Sequence, residues 1–247
     1  MKSTTETGHV KNVQHFEDLV TICEGYGSAF QPSNADIQLL ALRELVSKSK
    51  EALVDANQKL LEYSIKVGQR HEKYKDLKKL ATRLVNALAA SNATEKSIEN
   101  AKAIQKKIQG ARGTAIAEPA LTANQTEEAT VRTRSTSQQS FGHLSEHFSR
   151  LILLLKTETS YSPNELDLQV ATLETLLTDM DASNLEVMRA ANELSHARIR
   201  RNERLYTAEA CLYHCAGEVK KYLKSLYGAN SPQYKQVSGI RFSTVKS

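Results

Sequence analysis

The stretch from Leu39 to Leu88, LLALRELVSKSKEALVDANQKLLEYSIKVGQRHEKYKDLKKLATRLVNAL, decides the fold. Apolar side chains return every third or fourth residue, through Leu39, Leu42, Val46, Leu53, Ala56, Leu60, Tyr63, Val67, Tyr74, Leu77, Ala81, Leu84 and Leu88. That is the period of one helix face, and sustained over this length it predicts a coiled-coil-like seam. A forty-residue helix of this kind would run about 60 Å. The rhythm falters at Arg70, next to Gly68, and an arginine is costly in a dry seam.

The same rhythm recurs 131 positions later, through Val170, Leu173, Leu177, Met180, Val187, Ala191, Leu194, Leu205, Ala208, Leu212, Cys215 and Val219. It falters again at Arg198 and Arg201. Flanking segments repeat in the same order. His15-Phe16 with Leu19-Val20 answers His147-Phe148 with Leu151-Ile152, and Pro32 with Asp36-Ile37-Gln38 answers Pro163 with Asp167-Leu168-Gln169. Ile108-Gln109-Gly110-Ala111-Arg112 answers Val237-Ser238-Gly239-Ile240-Arg241. Order and spacing together predict two diverged copies of one unit, 1–112 and 141–247. Residues 113–140, rich in Thr, Ala, Ser and Gln, read as a flexible linker.

Each copy is expected to open with a short amphipathic helix, near 12–24 and 141–157. Ser33 with Asp36, Asn164 with Asp167, and Asn92 with Glu95 have capping-box spacing. Ser231-Pro232 reads as a cap followed by proline at the first helical position. The polar interruptions predict a break within 68–76 and within 199–209 that folds each long segment into a hairpin; one unbroken helix per copy is the rival. The fold class is therefore all-α, an elongated helical bundle built from two tandem pseudo-repeats.

Several segments resemble an uncharacterised family of duplicated, all-helical bacterial hypothetical proteins. The resemblance rests on Ser137-Gln138-Gln139-Ser140-Phe141, Tyr161-Ser162-Pro163-Asn164-Glu165, Ala197-Arg198-Ile199 and the tail from Ser231 to Gly239. It implies the helical architecture and brings no activity, ligand or catalytic residue with it.

Composition supports the helical reading. Of 247 residues only 10 are Gly and 4 Pro, there is no Trp, and aromatics make up 6%. Charge is unevenly placed. Residues 161–196 hold 1 base and 7 acids, whereas 197–247 hold 10 bases and 3 acids. Antiparallel packing of the copies would set the acidic stretch beside basic residues of the first. The N-terminus lacks an apolar signal core, and no apolar run approaches the roughly 20 residues of a transmembrane helix. An odd count of 3 cysteines points to reduced thiols. The expected location is cytoplasmic.

Chemistry is thin. Cys211 and Cys215 lie four apart with His214 between them, a spacing that can bind zinc, yet no second ligand pair follows. Small apolar packing is the better reading. Glu193 and His196 have the Glu-x-x-His form of di-iron bundles, but Glu62-Tyr63-Ser64-Ile65 in the other copy has no His. His15 and His147 read as capping or boundary residues. Phosphate loops and nucleophile elbows are absent from the sequence. The expectation is no catalytic residue, no metal and no cofactor.

The remaining candidate is basic. Arg198, Arg200, Arg201 and Arg204, with Arg70 and Lys73 in the matching region of the first copy, would form one positive patch if the helices lay side by side. Ordinary solvated helix faces, paired with acids of a neighbour, are the plainer reading. A non-enzymatic structural or protein-interaction module, with a protein partner or self-association, ranks first. Nucleic-acid binding through the basic patch ranks second, and a membrane-active helical protein third.

Overall fold

The computed structural model describes residues 6–110 and 139–243. Among them every regular element is helical. In chain order these are α1 (Glu6–Gly25), α2 (Leu39–Tyr74), α3 (Leu77–Ala90), α4 (Glu95–Gln109), α5 (Phe141–Thr157), α6 (Val170–Asn202), α7 (Leu212–Tyr227) and α8 (Pro232–Ser238). The linker expected at 113–140 lies outside the described residues, except for its last two.

Contacts divide the chain into two compact units that ignore chain order. Unit 1 joins residues 1–64 to 189–247, and unit 2 is residues 65–188. Each has its own core. In unit 1, Phe16, Leu19 and Cys23 of α1 meet Leu42, Leu45 and Leu53 of α2, with Leu212, Cys215, Val219 and Leu223 of α7. In unit 2, Leu84 and Leu88 of α3 and Ala101 and Ile108 of α4 meet Phe148, Leu151 and Leu155 of α5, with Leu173 and Met180 of α6. These are the 3–4 spaced positions of the sequence, and removing them from water drives each unit together.

The caps differ from the expected ones. A 3-10 turn, Ala35–Ile37, precedes α2, and it is Asn34 whose side chain accepts the Asp36 N–H. The matching turn, Leu166–Leu168, has no side-chain cap, and Asp167 turns outward to Arg83. Thr94, not Asn92, caps α4, accepting the Ser97 N–H at 3.3 Å. Threonine two positions later suits because the cap must be the last extended residue before the turn begins. At the other end Gly110 takes φ 76°, and its N–H closes on the Lys106 and Lys107 carbonyls. Ser231 does cap α8, with Pro232 in its first turn.

The long segments are interrupted, yet they do not double back. The first breaks at Lys75 and Asp76; the second passes through a π-helical turn, Glu203–Thr207, and breaks before Leu212. In unit 2, Lys66 pairs with Glu186 at 3.0 Å, Lys73 with Asp179 at 2.7 Å, and Arg83 with Asp167. Partner numbers fall steadily as the chain advances through the break. A hairpin would have sent Arg83 back toward residues above 179. In unit 1 the same order holds: Lys59 meets Glu193 and Asp55 meets Arg200, at 2.8 and 2.7 Å, and further back the Asp36 carbonyl meets the Cys215 thiol at 3.9 Å. The expected hairpins are therefore kinked, antiparallel continuations.

The seam near the break also shifts. Ala197, not Arg198, is buried, and so is Arg201. Leu205 follows within the π-helical turn, whose wider winding carries the buried face on past that arginine.

Candidate functional site

The six basic residues singled out from the sequence fall into different units. Arg198, Arg200, Arg201 and Arg204 belong to unit 1, Arg70 and Lys73 to unit 2. Arg200 is exposed on α6 and reaches Asp55 of α2. Arg201 is only 4% exposed, and its guanidinium donates to Asn202 Oδ1 at 3.0 Å. Arg198 and Arg204 are exposed, and Arg204 lies close enough to Glu44 to help hold that carboxyl below its ordinary pKa, after the larger effect of Lys48. Arg70 stacks on the Phe141 ring, its Cζ 4.1 Å from the centroid. Lys73 is spent on Asp179. The four arginines share one end of a helix but have different surroundings.

The sequence reading set the acidic stretch 161–196 beside bases of 1–112, but it missed the register of that pairing, a ladder beside the seam. Lys59, Lys66 and Lys73 stand seven apart, and so do their partners Glu193, Glu186 and Asp179. Arg83 with Asp167 and Lys156 with Glu174 extend the pairing within unit 2. The seven-residue spacing was present in the sequence as a signal on both sides. Ion pairs to Lys59 and Arg83 hold Glu193 and Asp167 below the ordinary carboxylate pKa. These pairs are exposed, so each is worth little alone. Together they engage five of the seven acids in 165–193, namely Asp167, Glu174, Asp179, Glu186 and Glu193.

The thiols sit in packing. Burial, then Glu24, pushes Cys23 up to about 12, and burial, then Asp36, pushes Cys215 up to about 11. Thiols held protonated in this way are poor nucleophiles and poor ligands. Cys211 caps α7, its sulfur accepting the His214 N–H at 3.5 Å. Glu193 belongs to Lys59, leaving His196 without it as a co-ligand. Among the described residues no three His, Cys, Asp or Glu side chains are placed to hold a metal ion.

The two recurring histidines occupy helix interiors and cap nothing. His15 sits in α1, its Nδ1 on the Arg241 carbonyl at 2.8 Å and its ring edge-on to Phe242. His147 is buried in α5 with neither ring nitrogen hydrogen-bonded among the described residues. No helix among the described residues is long and apolar enough to cross a membrane.

The segment formed by α7, α8 and the tail that follows is also basic. It carries Lys220, Lys221, Lys224, Lys235 and Arg241, and residues 210–243 contain one carboxylate, Glu218. Comparison with protein-family models, curated proteins and solved structures finds no match to this chain.

Proposed function

We propose that the chain is a non-enzymatic helical module for protein interaction, working in the cytoplasm, whose partner is a second copy of itself. The observation that carries this reading is a row on the outer face of α2 in unit 1. Leu40, Val54 and Leu61 are 79%, 64% and 62% exposed, and with Ser47 they stand seven residues apart. That spacing places them on one line along the helix, away from the seam already filled by Leu42, Leu45 and Leu53. The flanks favour a direction. Arg43 and Lys50 lie on one side of the row, Glu44 and Glu51 on the other. Two copies meeting in parallel set unlike flanks together, whereas antiparallel copies set like flanks together. Arg43 and Lys50 reach the partner while keeping their exposed pairs with Glu24 and Glu17.

Light scattering on the intact chain tests this. The expected mass is twice the 27.4 kDa of one chain, and serine at Leu40, Val54 and Leu61 together returns it to one chain, because exposed positions do not hold the fold. A single-chain mass for the unaltered protein overturns the reading, as does turnover on a substrate panel that one point substitution removes.

The two halves descend, in this reading, from one duplicated unit with a coiled-coil-like seam. Equivalent positions support it: Phe16 and Phe148, Leu42 and Leu173, and Leu88 and Val219 are all fully buried. Both long helices also start alike, from a 3-10 turn whose following glutamine carbonyl takes the Leu42 or Leu173 N–H.

A further inference from the structure

We infer that the face formed by α7 and the tail of unit 1 binds single-stranded nucleic acid, with the cations on the backbone phosphates and Tyr213 under a base. The inference is independent of self-association through α2.

Charge is the first ground. On other helices Lys59, Lys66, Lys73 and Arg83 meet carboxylates. On α7 and beyond, Glu218 pairs with Lys221 at 2.8 Å. Lys224, Lys235 and Arg241 have no carboxylate within ion-pair reach among the described residues. Among the described residues these three cations therefore stay uncompensated.

Arrangement is the second. Tyr213, Gly217, Lys220 and Lys224 recur at the 3–4 spacing of one helix stripe. Tyr213 is 41% exposed at one end, and Gly217 beside it has nothing within 4 Å of where a side chain would begin. Lys220 and Lys224 are about 6 Å apart along the axis. The Lys220 ammonium donates to the Ile240 carbonyl and lies 5.4 Å from the Phe242 centroid, which sets Arg241 beside the stripe. His15 fixes the tail from the far side through the Arg241 carbonyl. A flat aromatic, open backbone beside it and a line of cations is the arrangement that takes a single strand, whose bases are free to stack.

The probe is a fluorescein-labelled single-stranded DNA, its binding followed by anisotropy between 50 mM and 200 mM salt. With four phosphate contacts the affinity falls roughly 50-fold over that range. Replacing Lys221, Lys224, Lys235 and Arg241 with glutamine flattens the salt slope by about 0.7 per cation removed. Tyr213→Ala weakens binding about tenfold with the slope unchanged. The pair R198Q/R204Q leaves both intact. The inference is overturned by no binding at 50 mM salt, or by equal affinity for duplex DNA. It is overturned equally by preference for phosphatidylserine vesicles, or by the Arg198 and Arg204 variant losing as much as the four-glutamine one.

Discussion

His147 is 3% exposed in the middle of α5, and burial, then Lys107, pushes its pKa below the ordinary 6.5. Glu146 pulls the other way, while Arg150 and His143 add to the lowering. The ring is neutral in the folded protein and takes a proton more readily once unfolded. A depressed pKa of this kind contributes stability above about pH 6.5, lost as pH falls toward the folded value. Thermal unfolding should therefore show a drop in stability between neutral pH and pH 5. His147→Leu should remove that component and raise stability at neutral pH by on the order of 1 kcal/mol, since two buried nitrogens no longer lack partners. A variant with the full acid sensitivity of the original would refute this account. At this scale the sequence was only half legible. His15 and His147 align as equivalents, but one bonds a carbonyl near the surface and the other is sealed in packing. What separates them is which distant segment lies over each ring, and local spacing carries no trace of that.

For the elements, the apolar rhythm was legible and the direction of the chain after each break was not. Leu77, Ala81, Leu84 and Leu88 keep the same period whether α3 folds back or runs on. The information lay in charge: beyond the break Arg83 meets Asp167, continuing the falling order of Lys66 with Glu186 and Lys73 with Asp179, and a chain that doubled back would not pair them so. The cap at Ser231 was read correctly, and others were misread for a smaller reason. Ser33 and Asn34 stand side by side before the first 3-10 turn, as Asn92 and Thr94 both stand just before α4, and spacing alone does not choose between them. The ladder makes its own prediction. Lys66→Glu sets two carboxylates together and should destabilise unit 2 by about 0.5 kcal/mol, more at low salt. Adding Glu186→Lys restores the pair with reversed sign and should recover the loss. Denaturant midpoints of the two single variants and the double variant measure the coupling. Additive losses would mean that Lys66 and Glu186 do not interact.

On the scale of the molecule, likeness along the sequence and contact in space group residues differently. The copies 1–112 and 141–247 are a statement about pattern. The compact units are 1–64 with 189–247, and 65–188, so each draws on residues from both 1–112 and 141–247. Pattern alone could not reveal this, because a helix that runs on into the other copy's core has the same seam as one that returns to its own. The consequence is physical. Phe16 and Leu42 of unit 1 share a core with Leu212 and Val219, from the far side of the segment 111–138. Leu84 and Ile108 of unit 2 share theirs with Phe148 and Leu173, again from its far side. Losing either core costs several buried side chains, each worth about 3–5 kcal/mol for a phenylalanine and about 2–5 for a leucine. Cutting the peptide chain between those sides removes no such contact. A protease site engineered between residues 120 and 130, cleaved in the folded protein, should therefore leave two fragments that co-elute as the intact chain does and keep its helical circular dichroism. They should part only in denaturant. If each copy held its own core, the fragments would separate under native conditions, each with its helices intact, and the assignment of the two cores would fall.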